Sequence, residues 1–468
     1  MPRRNLIWVA AIVAAGVATV LLTRTPPAPD DPEMIRFGPV IRSHRVLRRS
    51  SYRPPESPEL LRGAMRGMVE SLDEYSTYVP PDRVRSFRAR LGGSAVCTGL
   101  VLFGEQDAGC EVLGSLPGSP AHEAGVEPGG FVTAVDGNDV SDRGADDVCR
   151  LLASPGRQAV EVTVTGDDGR TKDYTLSRRP IEVESVTGVR RTDEGFWVYS
   201  LPQGRRLGCV RVGEFLPATA GLVQQALREL PGLKGLVLDL RDNPGGRLES
   251  GFATADLFLN DGAVFTQVDA SGRRRVHSAR ESGTWPDVPM AVLVNERTAS
   301  AAEIVAGSLQ LRRRAVLVGV RTRGKGLIQS MIALPGNMGL ANITTGEFFI
   351  GEDLSITRRV GARTWGIEPD VPCPMAPAAE RARRRHWLSV SAAPPSGEPD
   401  NETAPAASAT TRSASHPAEP GERTMALDAQ FAEAVALLES PERMREILSG
   451  PPATTAPAEP TPTAGDRP

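Results

Sequence analysis

A serine placed where a buried strand passes into a helix is the first candidate for chemistry in this chain. Ser300 lies within the run Val294–Gly307, after the apolar strand Met290–Val294. Free backbone N–H groups at a helix start, and the positive end of the helix dipole, stabilise negative charge that develops on a substrate oxygen. A serine at such a position is most often only the N-cap of the helix. Ser300 alone therefore predicts a cap, and it becomes a candidate nucleophile only if a base accompanies it.

A lysine between two glycines is the candidate for that base. Lys325 lies between Gly324 and Gly326, directly after an apolar strand and 25 residues beyond Ser300. A general base must be unprotonated, so the lysine pKa has to fall from about 10.4 to about 7. That change corresponds to roughly 4 to 5 kcal/mol against the charged form, most of which burial must supply. The sequence therefore predicts that Lys325 is enclosed.

A turn with two adjacent glycines is the third candidate element. Asn243-Pro244-Gly245-Gly246 follows the apolar run Gly235–Leu240. Glycines at the carboxyl end of a strand allow the backbone to approach a ligand closely. This turn could therefore supply an N–H donor to a substrate oxyanion.

A histidine base is the alternative to Lys325. The chain contains five histidines, and four of them lie in predicted linkers or in the region before residue 179. The fifth, His277, stands in a polar, arginine-rich stretch that is typical of an exposed hairpin. A Ser-His-Asp arrangement is therefore disfavoured, and Lys325 is the predicted base.

The elements that must position these residues alternate strand and helix. Three apolar runs, Gly235–Leu240, Met290–Val294 and Ala315–Val320, each read as a buried strand, and the first two run into a turn and then a helix. This repeated order favours parallel pairing and an α/β core. The serine, the lysine and the glycine turn each come directly after one of these strands.

Several landmarks occur in one order between roughly residues 58 and 374. They are a helix ending in Leu72-Asp73 and Tyr75-Ser76-Thr77-Tyr78, the Asn243–Gly246 turn, Thr298-Ala299-Ser300-Ala301-Ala302-Glu303, Gly324-Lys325-Gly326 and Gly366-Ile367-Glu368-Pro369-Asp370. The sequence thereby resembles the carboxyl-terminal processing proteases, also called tail-specific serine proteases. The resemblance implies a core similar to crotonase and Clp protease.

The resemblance also implies a role for each site residue. The roles are Ser300 as nucleophile, Lys325 as general base, Gln329 positioning the lysine, Glu303 supporting it from one helical turn beyond the serine, and backbone N–H groups of Gly245 or Gly246 and of Ala301 forming the oxyanion hole. Capping or a surface ion pair stays the alternative for Glu303. Neither a metal nor a cofactor is expected, since the five cysteines show no C-x-x-C spacing.

Residues 94–179 resemble a PDZ domain. Short apolar strands alternate with turns, and Gly118-Ser119-Pro120-Ala121 precedes a short helical turn. In that family a loop before one strand captures the carboxylate of a peptide C-terminus, and the strand edge pairs with the peptide. The matching loop is Thr98-Gly99-Leu100. Gly130 replaces the charged residue that the resembling proteases usually carry, and a β-sandwich serving only as a spacer is the alternative.

The N-terminus predicts a membrane anchor. An uncharged apolar run extends from Leu6 to Leu22, near the lower length limit for a membrane span. Arg3 and Arg4 precede it, so the positive-inside rule places the rest of the chain outside the cytoplasm. A single-pass protein of the bacterial inner membrane, with its catalytic part in the periplasm or the cell exterior, is expected. A cleaved signal peptide is the alternative.

The whole chain is interpreted as an α/β (α+β) multidomain protein. Its predicted parts are a transmembrane anchor 1–24, a linker 25–57, an N-terminal helical segment 58–93, a PDZ domain 94–179, a protease core 180–375, a disordered linker 376–423, a helix 424–450 and a disordered tail 451–468. The arginine cluster Arg381–Arg385 is expected to be solvated. A net charge of −3 gives no basic surface for nucleic acid.

The expected function is an extracytoplasmic serine endopeptidase that recognises protein C-termini through the PDZ domain and cleaves with a Ser/Lys dyad. Protein substrates are the expected partners, and an adaptor protein is left open. A membrane-tethered PDZ scaffold that binds C-termini without cleaving them is the alternative.

Overall fold

The computed structural model describes residues 32–154, 158–166, 168–202, 205–280, 285, 287–392 and 426–454. Among these residues no helix combines the length and apolar character needed to cross a bilayer. The predicted span Leu6–Leu22 lies outside them, as do residues 393–423 of the predicted disordered linker. The described chain forms two compact units. The first contains the residues up to Pro80 together with Ala333–Ala341, and the second contains Pro81–Ile332 and the residues from Asn342 onward.

The first unit begins with a helix where an extended linker was predicted. Helix α1 covers Pro32–Ser50, followed by α2 (Ser57–Glu70) and strand β1 (Thr77–Val79). The linker prediction rested on proline and arginine content, but the prolines cluster at 26–32 and 54–55, and Pro39 alone lies within α1. Arginine is a good helix former, so the intervening residues form a helix.

The second unit opens with helix α3 (Val84–Leu91) and an antiparallel β domain. The strand order in its main sheet is β3-β4-β5-β7-β8, with β6 paired to β5, while β2 pairs with β9. Its elements are β2 (Ser94–Cys97), β3 (Leu100–Phe103), β4 (Cys110–Ser115), α4 (Pro120–Glu123), β5 (Phe131–Val135), β6 (Asn138–Asp139), α5 (Ala145–Leu152), β7 (Ala159–Thr165), β8 (Thr171–Ser177) and β9 (Arg179–Glu182). Strand β3 therefore lies at a sheet edge.

The region predicted as the protease core is built on a second sheet, and the prediction of parallel strands is confirmed there. The strand order is β10-β13-β14-β17-β18-β22, parallel from β13 to β22. The elements are β10 (Val186–Thr187), the hairpin β11 (Arg190–Arg191) and β12 (Trp197–Val198), β13 (Leu207–Val212), α6 (Thr219–Arg228), β14 (Gly235–Asp239), α7 (Leu248–Asp256), β17 (Met290–Val294), α8 (Ala301–Leu311), β18 (Val316–Gly319) and β22 (Val371–Pro372).

Helices cover both faces of this sheet, which is why its strands are mostly apolar. Side chains alternate between the faces of a strand, so Leu236 and Leu238 of β14 pack in one core with α6, α7 and α8. Val237 packs in the opposite core with Trp387 and Phe431 from the C-terminal helices. A further sheet contains β15 (Ala263–Asp269), β16 (Arg274–Ser278), β19 (Leu327–Ala333), β20 (Leu340–Ile350) and β21 (Leu354–Ser355).

The C-terminal region differs from the sequence prediction in two ways. Helix α9 (Pro377–Ser391) occupies the start of the predicted disordered linker 376–423, and the predicted helix 424–450 is two helices, α10 (Ala429–Leu438) and α11 (Pro441–Ser449). The break falls at Pro441, a favourable first residue for a new helix. The prediction that the cluster Arg381–Arg385 is solvated is wrong for Arg383, which is fully buried. Arg383 can be buried because ion pairs in the interior compensate its charge.

A buried ion cluster joins α10 to the end of strand β14. Arg241 is fully buried and donates to both carboxylate oxygens of Asp239, at 2.9 and 2.8 Å, and to both of Asp428, at 2.7 Å each. Asp428 also caps α10 by accepting from the Phe431 N–H. A buried ion pair becomes costly when one partner is removed, because the other charge stays behind in the interior. The residues around the parallel sheet therefore depend on the C-terminal helices, which supply a carboxylate that compensates the charge of Arg241.

The ion cluster predicts an acid-labile contribution to stability. Burial alone would raise the pKa of Asp428, but the charge and hydrogen bonds of Arg241 hold it below its usual value. A carboxyl with a lowered folded-state pKa stabilises the fold above its unfolded pKa of about 3.9, and this stabilisation disappears as the pH falls through the folded-state pKa. Asp428→Asn keeps the cap but removes the charge. We expect the free energy of unfolding to fall by about 3 to 5 kcal/mol near neutral pH. On acidification the variant should then lose less stability than the wild-type protein loses.

Urea unfolding from neutral pH down to about pH 2.5 measures both effects. Asp107→Asn, at an exposed position with a φ of 65° that asparagine tolerates, is the matched control. If the free energy of unfolding falls equally with pH in the wild-type protein and in Asp428→Asn, the acid-labile contribution does not come from Asp428.

Candidate active site

Ser300 occupies a strained position at the start of helix α8. Its φ is 56° and its ψ is −121°, whereas an ordinary N-cap residue has extended backbone. A positive φ in a residue other than glycine costs of the order of 1 to 3 kcal/mol and persists only where surrounding contacts hold it. The side chain is 7% exposed. The backbone conformation therefore favours a functional residue over a simple cap.

The contacts that hold this conformation converge on Glu303, which is fully buried. Its Oε2 accepts the Ser300 N–H at 2.8 Å and the Lys325 N–H at 2.9 Å. Its Oε1 accepts the Gly324 N–H at 2.7 Å and the Thr322 hydroxyl at 2.5 Å. One carboxylate thus fixes the backbone of the serine turn and of the lysine loop side by side.

Burial raises the pKa of the Glu303 carboxyl, and the four donated hydrogen bonds act in the opposite direction. Three of the donors are backbone N–H groups, which cannot accept a proton in return. The Thr322 hydroxyl oxygen already accepts the Ile367 N–H at 2.7 Å, so its hydrogen is directed to Glu303. The donor set therefore matches an ionised carboxylate.

Lys325 lies in the loop between β18 and β19 and is partly buried. Gly324 has a φ of 80°, and a Cβ there would lie 2.8 Å from the Ile356 carbonyl oxygen. The loop is therefore packed tightly enough to require glycine before the lysine. Gln329 lies in β19, and its side-chain amide donates to the Thr344 hydroxyl at 3.3 Å.

The glycine turn packs directly on the serine. A Cβ on Gly245 would lie 2.7 Å from Ser300 Cβ, so only glycine fits. Asn243, itself fully buried, anchors the turn to strand β13, because its side chain donates to the Val212 carbonyl oxygen at 2.8 Å. The Ala299 N–H donates to the Asn243 carbonyl oxygen at 2.9 Å.

The three N–H groups predicted for an oxyanion hole differ in whether they already donate a hydrogen bond. The Gly245 N–H donates to Asn243 Oδ1 at 2.8 Å. The N–H groups of Gly246 and Ala301 have no acceptor among the described residues. Of the three predicted donors, Gly246 and Ala301 therefore remain available to another acceptor.

The predicted peptide-binding loop of the β domain is also tightly held. Thr98 is buried, and its carbonyl oxygen accepts the Ala121 N–H at 3.0 Å. Gly99 has a φ of 84°, and a Cβ there would collide with the Ser119 side chain. Leu100 begins β3, the edge strand of the sheet. The loop therefore leads into an edge to which an extended peptide could add.

His277, the alternative base, lies on strand β16 and stacks on Phe265 with ring centroids 4.2 Å apart. Its Nε2 is buried without a hydrogen-bond partner among the described residues. Burial lowers its pKa. These contacts give His277 a packing role within the β15–β16 hairpin.

Sequence reasoning missed several residues that hold the site. They are Thr322, Asp242, Asn295, Arg383 and Asp428. A signal existed for some of them, because Asp239 ends an otherwise apolar strand and the charged residues Arg241 and Asp242 follow soon after it. Charged residues at the end of a buried strand need buried partners, but the sequence does not show where those partners lie.

Comparisons with known proteins agree with this geometry. The chain matches the family model for Peptidase family S41 over residues 206–373 and that for the PDZ domain over residues 111–165. It is 32% identical over 318 residues to a chloroplastic C-terminal processing peptidase of Tetradesmus obliquus, covering 66% of this chain and 67% of that protein. It is also 32% identical over 330 residues to a carboxyl-terminal-processing protease of Picosynechococcus sp., covering 69% and 76%.

A solved structure of a photosystem II D1 C-terminal processing protease shares 29% identity, covering 72% of this chain and 88% of that chain, with a TM-score of 0.43. The two family models and the curated relatives identify the chain as a serine peptidase with a PDZ domain. More particularly, the chain belongs to peptidase family S41, among the carboxyl-terminal processing proteases.

Glu303→Gln tests the central contact of the site. Glutamine has one acceptor oxygen and an NH2 group that would face other donors, so about two of the four donors lose their acceptor. We expect a loss of about 2 to 5 kcal/mol of unfolding free energy and a fall in peptide cleavage of at least about tenfold. Thermal unfolding and cleavage of a peptide substrate measure the two effects. Glu296→Gln, on the exposed part of the same turn, is the control, and wild-type stability and activity in Glu303→Gln would refute the role.

Proposed function

We propose that this chain is a membrane-anchored serine endopeptidase that recognises protein C-termini through its PDZ domain and cleaves them with Ser300 and Lys325. The observation that carries the proposal is the shared acceptor Glu303 Oε2, which binds the backbone N–H of both residues. A nucleophile and a base on separate loops must be held in a fixed relation to react. The strained backbone of Ser300 supports the same conclusion.

The proposed reaction follows from these positions. The neutral amine of Lys325 takes the proton of the Ser300 hydroxyl while the serine Oγ attacks the substrate carbonyl carbon. The carbonyl oxygen becomes negatively charged and receives the N–H groups of Gly246 and Ala301. Lys325 then gives the proton to the leaving amine, and an acyl-enzyme remains. A water molecule, deprotonated by the same lysine, then attacks the acyl carbon and breaks its bond to Ser300 Oγ. The lysine returns the proton to Oγ, and the new C-terminus is released. Gln329 is proposed to assist Lys325 by hydrogen bonding.

Recognition is proposed to occur at the edge of strand β3. The loop Thr98-Gly99-Leu100 precedes this edge, and backbone N–H groups in such a loop can bind a terminal carboxylate. The partners are therefore unstructured C-terminal tails of proteins. An adaptor that delivers them is compatible with this mode of recognition.

A test protein with an unstructured tail checks the catalytic assignment. Ser300→Ala and Lys325→Ala should each lower cleavage by a factor of about 10³ or more, since a nucleophile and its base act as a unit. Lys234→Ala, at an exposed position remote in sequence from the site, should cleave like the wild-type protein. Full activity in either dyad variant would refute the assignment. Binding of C-terminal peptides by a wild-type protein that does not cleave them would instead support a PDZ scaffold.

Membrane attachment is proposed from the apolar run Leu6–Leu22 after Arg3 and Arg4. The location is the bacterial inner membrane, with the catalytic part in the periplasm or the cell exterior. The full-length protein should remain in the membrane fraction after alkaline extraction, and a variant starting at residue 25 should not. Recovery of the full-length chain in the soluble fraction would contradict the anchor.

A further inference from the structure

A fully buried arginine on helix α9 reaches the base of the catalytic turns. The side chain of Arg383 is 0% exposed. It donates from Nη2 to Asp242 Oδ2 at 2.7 Å and from Nε to Glu380 Oε2, within its own helix, at 2.9 Å. Helix α9 begins at Pro377, beyond residue 373 where the match to the peptidase family ends. This contact is therefore contributed from outside the matched catalytic region.

Asp242 connects the two turns that carry the proposed oxyanion donors. It immediately precedes the Asn243–Gly246 turn and has a φ of 61°, which is unfavourable for aspartate unless neighbours hold it. Its N–H donates to Asn295 Oδ1 at 3.0 Å, and its Oδ1 accepts from Asn295 Nδ2 at 3.1 Å. Asn295 is the first residue after strand β17, at the start of the turn that leads to Ser300. Arg383 thus contacts the residue that joins both turns.

Asp242 and Arg383 both stay charged, although Arg383 is buried and Asp242 is partly buried. Burial would raise the pKa of Asp242, but the charge and hydrogen bond of Arg383 bring it below its usual value. Burial would lower the pKa of Arg383, but its hydrogen bond to the Glu380 carboxylate and the charge of Asp242 raise it, so the guanidinium stays protonated. Its Nη1 has no hydrogen-bond partner among the described residues.

Stability alone gives little reason for such a contact. Replacing a buried ion pair by apolar groups is often neutral or stabilising, and in some proteins buried charges instead provide conformational specificity. A donor left without a partner adds to the cost. The geometric effect is specific, because Arg383 constrains a residue with a strained backbone one position before the glycine turn.

We propose that Arg383 is a positioning residue, which holds Asp242 and thereby fixes the N–H groups of Gly246 and Ala301 where the oxyanion forms. This inference rests on the proposed serine peptidase function. Oxyanion donors act only when they are already aimed at the developing charge, and small displacements of reacting groups cost large factors in rate. Arg383 acts through Asp242 and does not itself contact the substrate.

Kinetics of Arg383→Met and Asp242→Asn test the proposal. In both variants kcat should fall about 10- to 100-fold, while KM changes less than about twofold because substrate binding is unaffected. The inhibition constant of a peptide boronic acid, which forms an adduct with the nucleophile and places an oxygen in the oxyanion hole, should rise by the same factor as kcat falls. Arg381→Met is the matched control, since Arg381 is exposed on the same helix and only approaches Glu105 at 4.0 Å.

The double variant Arg383→Met/Asp242→Asn separates positioning from stability. It removes both charges of the pair, so neither of the two stays buried without its partner. Its melting temperature should therefore recover relative to Arg383→Met, whereas kcat should stay low. Recovery of kcat together with the melting temperature would overturn the proposal, as would wild-type kcat in a folded Arg383→Met. If Arg383→Met fails to fold, Asp242→Asn breaks the same contact from the other side and gives the same decision.

The proposed function is tested separately in the same assay with Ser300→Ala. Cleavage by the wild-type protein that persists in Ser300→Ala would contradict the peptidase assignment, and the role of Arg383 would be rejected with it. Cleavage that depends on Ser300 but is unchanged in kcat by the Arg383 and Asp242 variants would reject only the positioning role.

Discussion

The carboxylate of Glu303 is the contact on which the geometry of the site depends. An ionised carboxylate offers about four acceptor positions, and here four donors occupy them, from Ser300, Thr322, Gly324 and Lys325. Because the hydrogen bond to Lys325 comes from its backbone, Glu303 orients the lysine loop through the main chain. Its negative charge is compensated by N–H dipoles, so a single acid brings two loops together at the carboxyl edge of a parallel sheet.

Buried charges extend this arrangement away from the serine. Asp239, Arg241 and Asp428 connect the end of strand β14 to helix α10, and Arg383 connects the next residues of the chain to helix α9. Helix α9 also packs against strands β3 and β4 of the PDZ domain, where Arg385 pairs with Glu111. Helix α9 thus contacts both the PDZ domain and, through Arg383, the residue before the Asn243–Gly246 turn.

The sequence predicted the parts of this structure that have a local cause. Apolar runs gave the strands, their order gave the parallel sheet, and the flanking glycines of Lys325 indicated a tight loop. The four donors on Glu303 could not be predicted, because they come from residues up to 22 positions away. The burial of Arg383 was mispredicted because a cluster of arginines is normally solvated, and only the fold reveals which of them meets a buried carboxylate.

The position of Asp428 near the end of the described chain also matters for how the protein is made. Strand β14 ends at Asp239, and Arg241 follows it, yet one of the two carboxylates that compensate Arg241 lies 187 residues later. A ribosome-bound chain that has not reached Asp428 has a guanidinium with half of its buried partners, and interior charges without partners are unfavourable. Strand β14 and the glycine turn that follows it are therefore expected to settle only after the chain has been extended by the further 187 residues to Asp428.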